Sequence, residues 1–250
     1  MKNKSNINRY FLVLFLILLS SLSISCVGGF FGSDDDVQTI SLTNAQIYSA
    51  AVKDAMTRNQ VFNGLTVISD TNESLVWNND HTQIAILTIM RPGRESSYAP
   101  VGKTMTVAWK MFVTAAPELK NKIAAARPYT DLTLRVEQML GLPDNGYKYC
   151  VELWVKPADL FRPSPDSEAD DAVAQLIYPS TATTDHKNWL NQHIYESYFS
   201  DNPFPFTRLG YTYDWLGKNN NVIGASEFVV KINSTVTVKA EPVTLEQYFQ

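Results

Sequence analysis

The nine residues YKYCVELWV at positions 147–155 are the clearest strand signal in the chain. The run is rich in aromatic and apolar residues, and it is bounded by Asp144-Asn145-Gly146 and by Pro157. Aromatic and β-branched residues favour the extended backbone, whereas asparagine, glycine and proline interrupt it. The segment therefore predicts a β-strand, with Cys150 as one of its apolar residues.

Strands and helices are both predicted on either side of this segment. Further strands are predicted at residues 65–68, 74–77, 83–90, 104–113, 208–215, 226–232 and 235–239. Helices are predicted at residues 39–58, 117–126, 131–140 and 185–198. Short turns join several strand pairs, and no regular strand–helix alternation demands a parallel sheet. We therefore expect an α+β fold, an antiparallel β-sheet with a few packed helices, in a single globular domain at residues 39–250.

Two helix ends carry specific signals. Thr43 and Gln46 fit a capping box, in which each side chain accepts a hydrogen bond from the backbone of the other residue. Gly141, followed by an apolar residue and a proline, fits a glycine C-cap at the end of the helix at 131–140. The same ten residues also alternate like a strand, so both structures remain open there. Residues 156–179 are expected to form a long acidic loop.

The first 25 residues have the layout of a secretory signal peptide. Lys2, Lys4 and Arg9 precede the apolar run YFLVLFLILL at 10–19, and small residues follow it. The apolar run is well short of the ~20 residues that a membrane-spanning helix needs. We expect residues 1–25 to be removed as a signal peptide, with an uncleaved membrane anchor as the alternative.

The sequence LSISC at 22–26 resembles the lipobox of bacterial lipoproteins. Ser25 fits the small residue required before the cysteine, and Ser23 stands where these proteins usually have leucine. The resemblance implies that Cys26 becomes a lipid-modified N-terminus, whose acyl chains hold the protein to a membrane at ~0.8 kcal/mol per buried methylene. Residues 26–38 would then be a flexible acidic tether. Ser23 and Ser25 would also suit an ordinary signal peptidase.

The two cysteines of the chain, Cys26 and Cys150, connect this question to the fold. If Cys26 is acylated, Cys150 has no partner and is a buried apolar residue. If cleavage exposes Cys26 without acylation, a disulfide between Cys26 and Cys150 can form in an oxidising compartment.

Charge and motifs exclude several functions. The leader contributes three cations and no acid, so the formal net charge of −4 becomes −7 without it. A mildly acidic chain without basic clusters argues against nucleic acid as a partner. The chain has no P-loop, no dinucleotide glycine fingerprint, no H-E-x-x-H and no G-x-S-x-G. We expect no cofactor, and the expected partner is the membrane through the lipid anchor, with an envelope protein or a glycan as a candidate ligand.

An aromatic row lies in the predicted strand at 208–215. Tyr211, Tyr213 and Trp215 occupy alternate positions and therefore share one face of the strand. One interpretation is an exposed platform for a sugar or peptide, with Arg208, Asp214 and Glu227 as its polar contacts. The alternative is ordinary packing of aromatic side chains in the core of a sheet.

The histidines suggest two kinds of site, an acid/base pair and a metal site, but neither has a specific sequence motif. His186 with Asp214 or Glu227 would be the acid/base pair of a hydrolase-like enzyme, if the fold brings these side chains together. His186 and His193 are two helical turns apart, but no third ligand has diagnostic spacing, so no metal site is expected. Surface or edge histidines on an amphipathic helix are the simpler interpretation.

Two segments, ELWVKPADLFRPSPD at 152–166 and residues 206–230, are similar to a family of uncharacterised secreted bacterial proteins. The resemblance covers about the C-terminal half of the mature chain. It implies no activity and transfers no catalytic residue. Relatives have cysteine where this chain has Ser164, which implies that a disulfide at that position is not shared.

These observations together predict a binding or structural lipoprotein of the bacterial cell envelope. The expected location is the outer membrane or a membrane facing the periplasm, with the folded domain attached through Cys26. The sequence favours a protein that is not an enzyme.

Metabolic labelling with palmitate tests the predicted lipid attachment at Cys26. The wild-type protein should incorporate label, and Cys26→Ser should not, because the acylated thiol is removed. Cys150→Ser is the matched control and should be labelled like the wild type. An unlabelled, soluble mature protein with a Cys26–Cys150 disulfide would contradict the prediction.

Overall fold

An antiparallel sheet forms the centre of the structure. The computed structural model of the protein describes residues 41–217, 219 and 221–250; the predicted signal peptide (1–25), Cys26 and the predicted tether (26–38) lie outside the described residues. The strands are β1 (Ile84–Met90), β2 (Thr104–Thr106), β3 (Met111–Ala115), β4 (Tyr149–Val155), β5 (Leu160–Phe161), β6 (Tyr211–Tyr213), β7 (Ile223–Ser226), β8 (Phe228–Val230), β9 (Thr235–Val238) and β10 (Val243–Thr244). The main sheet has the order β2-β9-β4-β1-β3-β8-β5, with β10 also paired to β4, and β6 and β7 form a separate pair.

The helices pack around this sheet and end largely where the sequence predicts. They are α1 (Asn44–Thr57), α2 (Ala116–Ala125), α3 (Leu132–Met139), α4 (Thr184–Phe199) and α5 (Leu245–Phe249), with short 3-10 turns at Glu95–Tyr98 and Pro157–Asp159. The Thr43–Gln46 capping box is confirmed at α1. At the end of α3, Gly141 has a φ of 66° and the N–H of Leu142 donates to the carbonyl of Glu137 at 2.8 Å, which is the predicted glycine C-cap.

The predicted α+β fold is confirmed. Every strand pair among the described residues is antiparallel. The predicted strand at 147–155 forms β4 and pairs with β1 along seven residue pairs, from Ile84 opposite Val155 to Met90 opposite Tyr149. No helix in the described part of the chain is both long and apolar enough to cross a membrane.

Alternate residues of β1 and β4 face two separate cores. On one face, Ile84, Ile86 and Leu153 pack with apolar residues of the connecting segments. On the other face, Leu87 and Cys150 pack against α2, α3 and α5. Cys150 is a fully buried free thiol, and burial raises its pKa to about 12, which keeps it protonated. The apolar role expected for Cys150 is therefore confirmed.

Three predicted strands differ from the structure. Residues 65–68 and 74–77 are not strands: the N–H groups of Leu65 and Ile68 donate to carbonyls of the 169–172 loop, outside any ladder. The predicted strand at 104–113 divides into β2 and β3, because β2 pairs with β9 whereas β3 pairs with β1 and β8. At 65–68 and 104–113 the differences arise from distant partners, which local residue patterns do not specify. At 74–77 the predicted pairing with the start of β1 is reduced to a single bridge between Trp77 and Ile84.

A buried ion pair joins α3 to the end of β6. The Arg135 guanidinium makes a two-pronged contact with the Asp214 carboxylate, with Nη1 to Oδ1 at 2.8 Å and Nη2 to Oδ2. The two side chains are only 11% and 5% exposed. Removing one partner would leave the other as an uncompensated buried charge.

We therefore expect Arg135→Ala and Asp214→Ala each to lower the free energy of unfolding by about 3–5 kcal/mol. The double variant Arg135→Met with Asp214→Leu should recover most of the loss, since it buries no charge. Urea denaturation gives these values. Lys53→Ala on the exposed face of α1 is the control, with an expected change within about 0.5 kcal/mol, and single variants as stable as this control would contradict the prediction.

Candidate functional site: a cavity where the sheet divides

A cavity of about 390 Å³ lies where β1 and β3 separate. The two strands pair only at Ile86 opposite Ala115 and Leu87 opposite Thr114. Beyond these pairs, β1 continues along β4 and β3 continues along β8. The hydroxyl of Thr88 donates to the carbonyl of Phe112 at 3.3 Å, and this side-chain contact stands where the backbone ladder has ended. Both strands contribute residues to the cavity wall.

The wall of the cavity is mostly apolar. Its aliphatic residues come from β1, α2 and the end of α3: Leu87, Ile89, Leu119, Leu140 and Leu142. Its aromatic residues include Tyr98, Trp109, Phe112, Tyr147, Phe204 and Phe206. Trp109 and Phe204 are also 55% and 37% exposed, so they mark the opening. A cavity of this size and lining is typical of sites for small molecules.

Glu227 lies in the cavity wall immediately before β8. Its backbone N–H donates to the carbonyl of Gly210 at 2.9 Å, and the preceding Ser226 is held by the carboxylate of Glu118. The Glu227 carboxyl itself makes no hydrogen bond or ion pair with any described residue. Burial raises the pKa of Glu227 to about 8, because the surrounding protein disfavours the charged form. The side chain is therefore mostly a neutral carboxylic acid at neutral pH.

His193 and Ser197 reach the same cavity from α4. They are four residues apart and therefore lie on one side of the helix. The imidazole of His193 lies between Phe112 and Phe206, with ring centroids 4.9 and 4.5 Å away. This burial, reinforced by the nearby Lys110 cation, lowers the pKa of His193 to about 4. His193 is consequently neutral at neutral pH.

Several polar atoms of the cavity have no partner within the described protein. They are His193 Nδ1, Ser197 Oγ and Thr114 Oγ1, in addition to the carboxyl of Glu227. Buried polar groups are nearly always hydrogen-bonded, because an unpaired group loses its interaction with water without compensation. The first three atoms are enclosed by protein, whereas Glu227 is only partly buried, so its carboxyl is the polar group that a ligand in the cavity could satisfy.

The positions of these polar groups limit the reactions that they could support. His193 Nδ1 and Ser197 Oγ do not hydrogen-bond to each other, so the serine is not activated by the histidine. The described residues contain no group of three or more His, Cys, Asp or Glu that could hold a metal ion. The groups present can accept and donate hydrogen bonds to a bound molecule.

The predicted aromatic platform is wrong. Tyr211, Tyr213 and Trp215 are 1%, 6% and 5% exposed. Tyr213 and Trp215 pack against α1, where the Tyr213 hydroxyl donates to Asp54 at 2.8 Å and Trp215 Nε1 donates to the carbonyl of Leu142 at 2.9 Å. The apolar face of α1 covers these rings, and the alternative of core packing is confirmed.

Arg208 has a structural role instead of a ligand contact. Its Nη2 donates to the carbonyls of Ala55, Met56 and Arg58 at 3.2, 3.1 and 3.0 Å. These carbonyls lie at the C-terminal end of α1, where they lack partners within the helix. A cation at this end is also favoured by the helix dipole. Arg208 therefore caps α1.

The predicted acid/base pairs of His186 are not formed. His186 lines a separate groove of about 710 Å³ beside the acidic loop, and its Nε2 donates to the carbonyl of Ser164 at 2.8 Å. Asp214 is occupied by Arg135, and Glu227 lines the cavity instead of the groove. No hydrogen bond between described residues joins His186 to either carboxyl. Of the predicted site residues, Glu227, Tyr211 and Tyr213 line the cavity, whereas His186, Arg208, Asp214 and Trp215 do not.

Sequence reasoning did not select His193 and Ser197 as a pair. They follow Trp189 and Leu190 at helical spacing, on the side of α4 that was expected to be apolar. Polar residues on the apolar side of a helix were the available signal, since they must find partners or line a cavity. That Glu227 lies on the same cavity as these two residues depends on tertiary structure.

Proton NMR can test the environment of His193, because the chain has only three histidines. His193 should titrate near pH 4 owing to its burial. Its unfolded-state pKa is about 6.5, so the unfolded protein binds more protons between these values, and stability should rise with pH across this range. His193→Gln should remove both the signal and this contribution, whereas His81→Gln should leave them. A His193 signal that titrates at about pH 6.5 would contradict the burial.

Comparison of the chain with protein-family models, with curated proteins and with solved structures finds no match. The similarity of residues 152–166 and 206–230 to secreted bacterial proteins stays a prediction.

Proposed function

We propose that the protein binds a small, mostly apolar molecule in the cavity between β1 and β3. The observation that carries this proposal is the carboxyl of Glu227, which has no partner among the described residues and lies in the mostly apolar wall of a cavity of about 390 Å³. A ligand with an apolar body and a polar end would fill the cavity and satisfy this carboxyl. The resulting function is ligand binding, without a chemical step.

The subcellular location of this binding protein is a separate part of the proposal. The signal-peptide layout of residues 1–25 and the lipobox-like sequence ending at Cys26 support a lipoprotein of the bacterial cell envelope. The acyl anchor would attach the domain to the outer membrane or to a membrane that faces the periplasm. Such an attachment would hold the cavity close to the lipid phase, in which apolar molecules concentrate.

Nile red, an uncharged dye whose fluorescence rises in apolar surroundings, tests the binding function. The wild-type domain should bind the dye with saturable fluorescence. Ile89→Trp should weaken the affinity at least about tenfold, equivalent to about 1.4 kcal/mol, because the larger ring extends from β1 into the cavity. Ile89 is only partly buried and lies in a strand, where tryptophan is well tolerated.

Val76→Trp is the matched control for this experiment. Val76 is exposed and does not line the cavity, so the same ring is added away from the site. Circular dichroism should show that both variants are folded. Equal dye affinity for Ile89→Trp and Val76→Trp would overturn the proposal.

A further inference from the structure

We propose that Glu227, as a neutral carboxylic acid, donates a hydrogen bond to a carbonyl oxygen of the ligand, so that the cavity selects uncharged amide, ester or ketone heads. This inference rests on the proposed binding function and names the ligand class of that site. It excludes ligands whose polar end is an ammonium or a carboxylate.

The position of Glu227 makes it the polar centre of the cavity wall. In the register of β3 and β8, Val113 is opposite Phe228, so the residue before β8 continues towards Thr114. Thr114 in turn is opposite Leu87 of β1. Glu227 thus extends the row of residues that begins at the point where β1 and β3 separate. Its carboxyl lines the cavity and has no partner among the described residues, so its hydrogen-bonding capacity is directed to a ligand.

Among the described residues that line the cavity, no charged group compensates an ionised Glu227. Lys110, from the segment before β3, is paired with Glu196 at 2.5 Å. His193 from α4 is neutral, and Glu118 from α2 is occupied by the N–H and hydroxyl of Ser226. The remaining titratable groups of the wall are the phenols of Tyr98, Tyr147, Tyr211 and Tyr213. The raised pKa of Glu227, about 8, agrees with this lack of a counter-charge.

Charged ligand heads are disfavoured by the same surroundings. An ammonium would bind well only with Glu227 ionised, and this would bury two charges whose desolvation penalty offsets their attraction. A carboxylate would bring a charge into a wall whose one lysine is already committed to Glu196. A carbonyl oxygen requires neither ionisation nor a counter-ion.

Three amphiphiles with the same chain and different heads test the selection. Octanamide, octylamine and octanoate are each allowed to displace Nile red from the wild-type domain at about pH 6.5, where their heads are neutral, cationic and anionic, respectively. Octanamide should displace the dye at a concentration at least about tenfold lower than the other two. Equal potency, a preference for either charged head, or no displacement by octanamide would overturn the inference.

The pH dependence identifies the donor. N,N-dimethyloctanamide is used here, because its head has a carbonyl oxygen but no N–H that could donate to an ionised Glu227. Its affinity should be constant below about pH 7 and fall about tenfold per pH unit above pH 8, because ionised Glu227 can only accept hydrogen bonds. Glu227→Gln keeps a neutral donor and should bind this tertiary amide independently of pH in this range. Glu227→Leu removes the donor and should bind octanamide at least about tenfold more weakly while still binding Nile red.

The outcomes separate this inference from the function on which it rests. Loss of N,N-dimethyloctanamide binding in Glu227→Gln, or an affinity of the wild type for this amide that does not change up to pH 9, would overturn the donor role while dye binding persists. Failure of the wild-type domain to bind Nile red would instead overturn the proposed function itself.

Discussion

The early separation of β1 from β3 is the constraint on which the candidate site depends. A strand that loses one neighbour stays in the sheet when a second neighbour still pairs with the backbone groups of its other edge. Here β4 pairs with the whole of β1, and β8 pairs with the beginning of β3. Thr88 supplies one side-chain hydrogen bond across the gap. The space between the strands remains as a cavity that is lined by side chains of both strands.

The polarity of this cavity is set by desolvation. Burial raises the pKa of Glu227 and lowers that of His193, so both lose their charge near neutral pH for the same physical reason. Two charged pairs lie near these groups: Arg135 with Asp214 in the interior, and Lys110 with Glu196 at the edge of the cavity. The result is an uncharged polar set in an apolar wall, which suits hydrogen bonding to a ligand better than acid/base chemistry driven by ion pairs.

The predicted site residues show what a local pattern can and cannot specify. The period of two in the 208–215 segment correctly indicated a strand, but whether its aromatic face is exposed depends on α1, which packs there from more than 150 residues away. Arg208 was expected at a ligand, yet the unpaired carbonyls at the end of α1 require it. His186 and Glu227 were paired on residue type alone. The fold places them on a groove and a cavity, respectively, because His186 lies on α4 next to the acidic loop, whereas Glu227 lies immediately before β8.

The amino-acid sequence by itself determined the features that short-range interactions control. These are the strand at β4, the capping box of Thr43 and the glycine end of α3, since each depends on neighbours within a few residues. Only the tertiary structure decided that 65–68 is not a strand, that 104–113 divides between two places in the sheet, and that Glu227, His193 and Ser197 share a cavity. Those outcomes depend on pairing between distant segments, whose free energy comes from burial and hydrogen bonds that no local pattern contains.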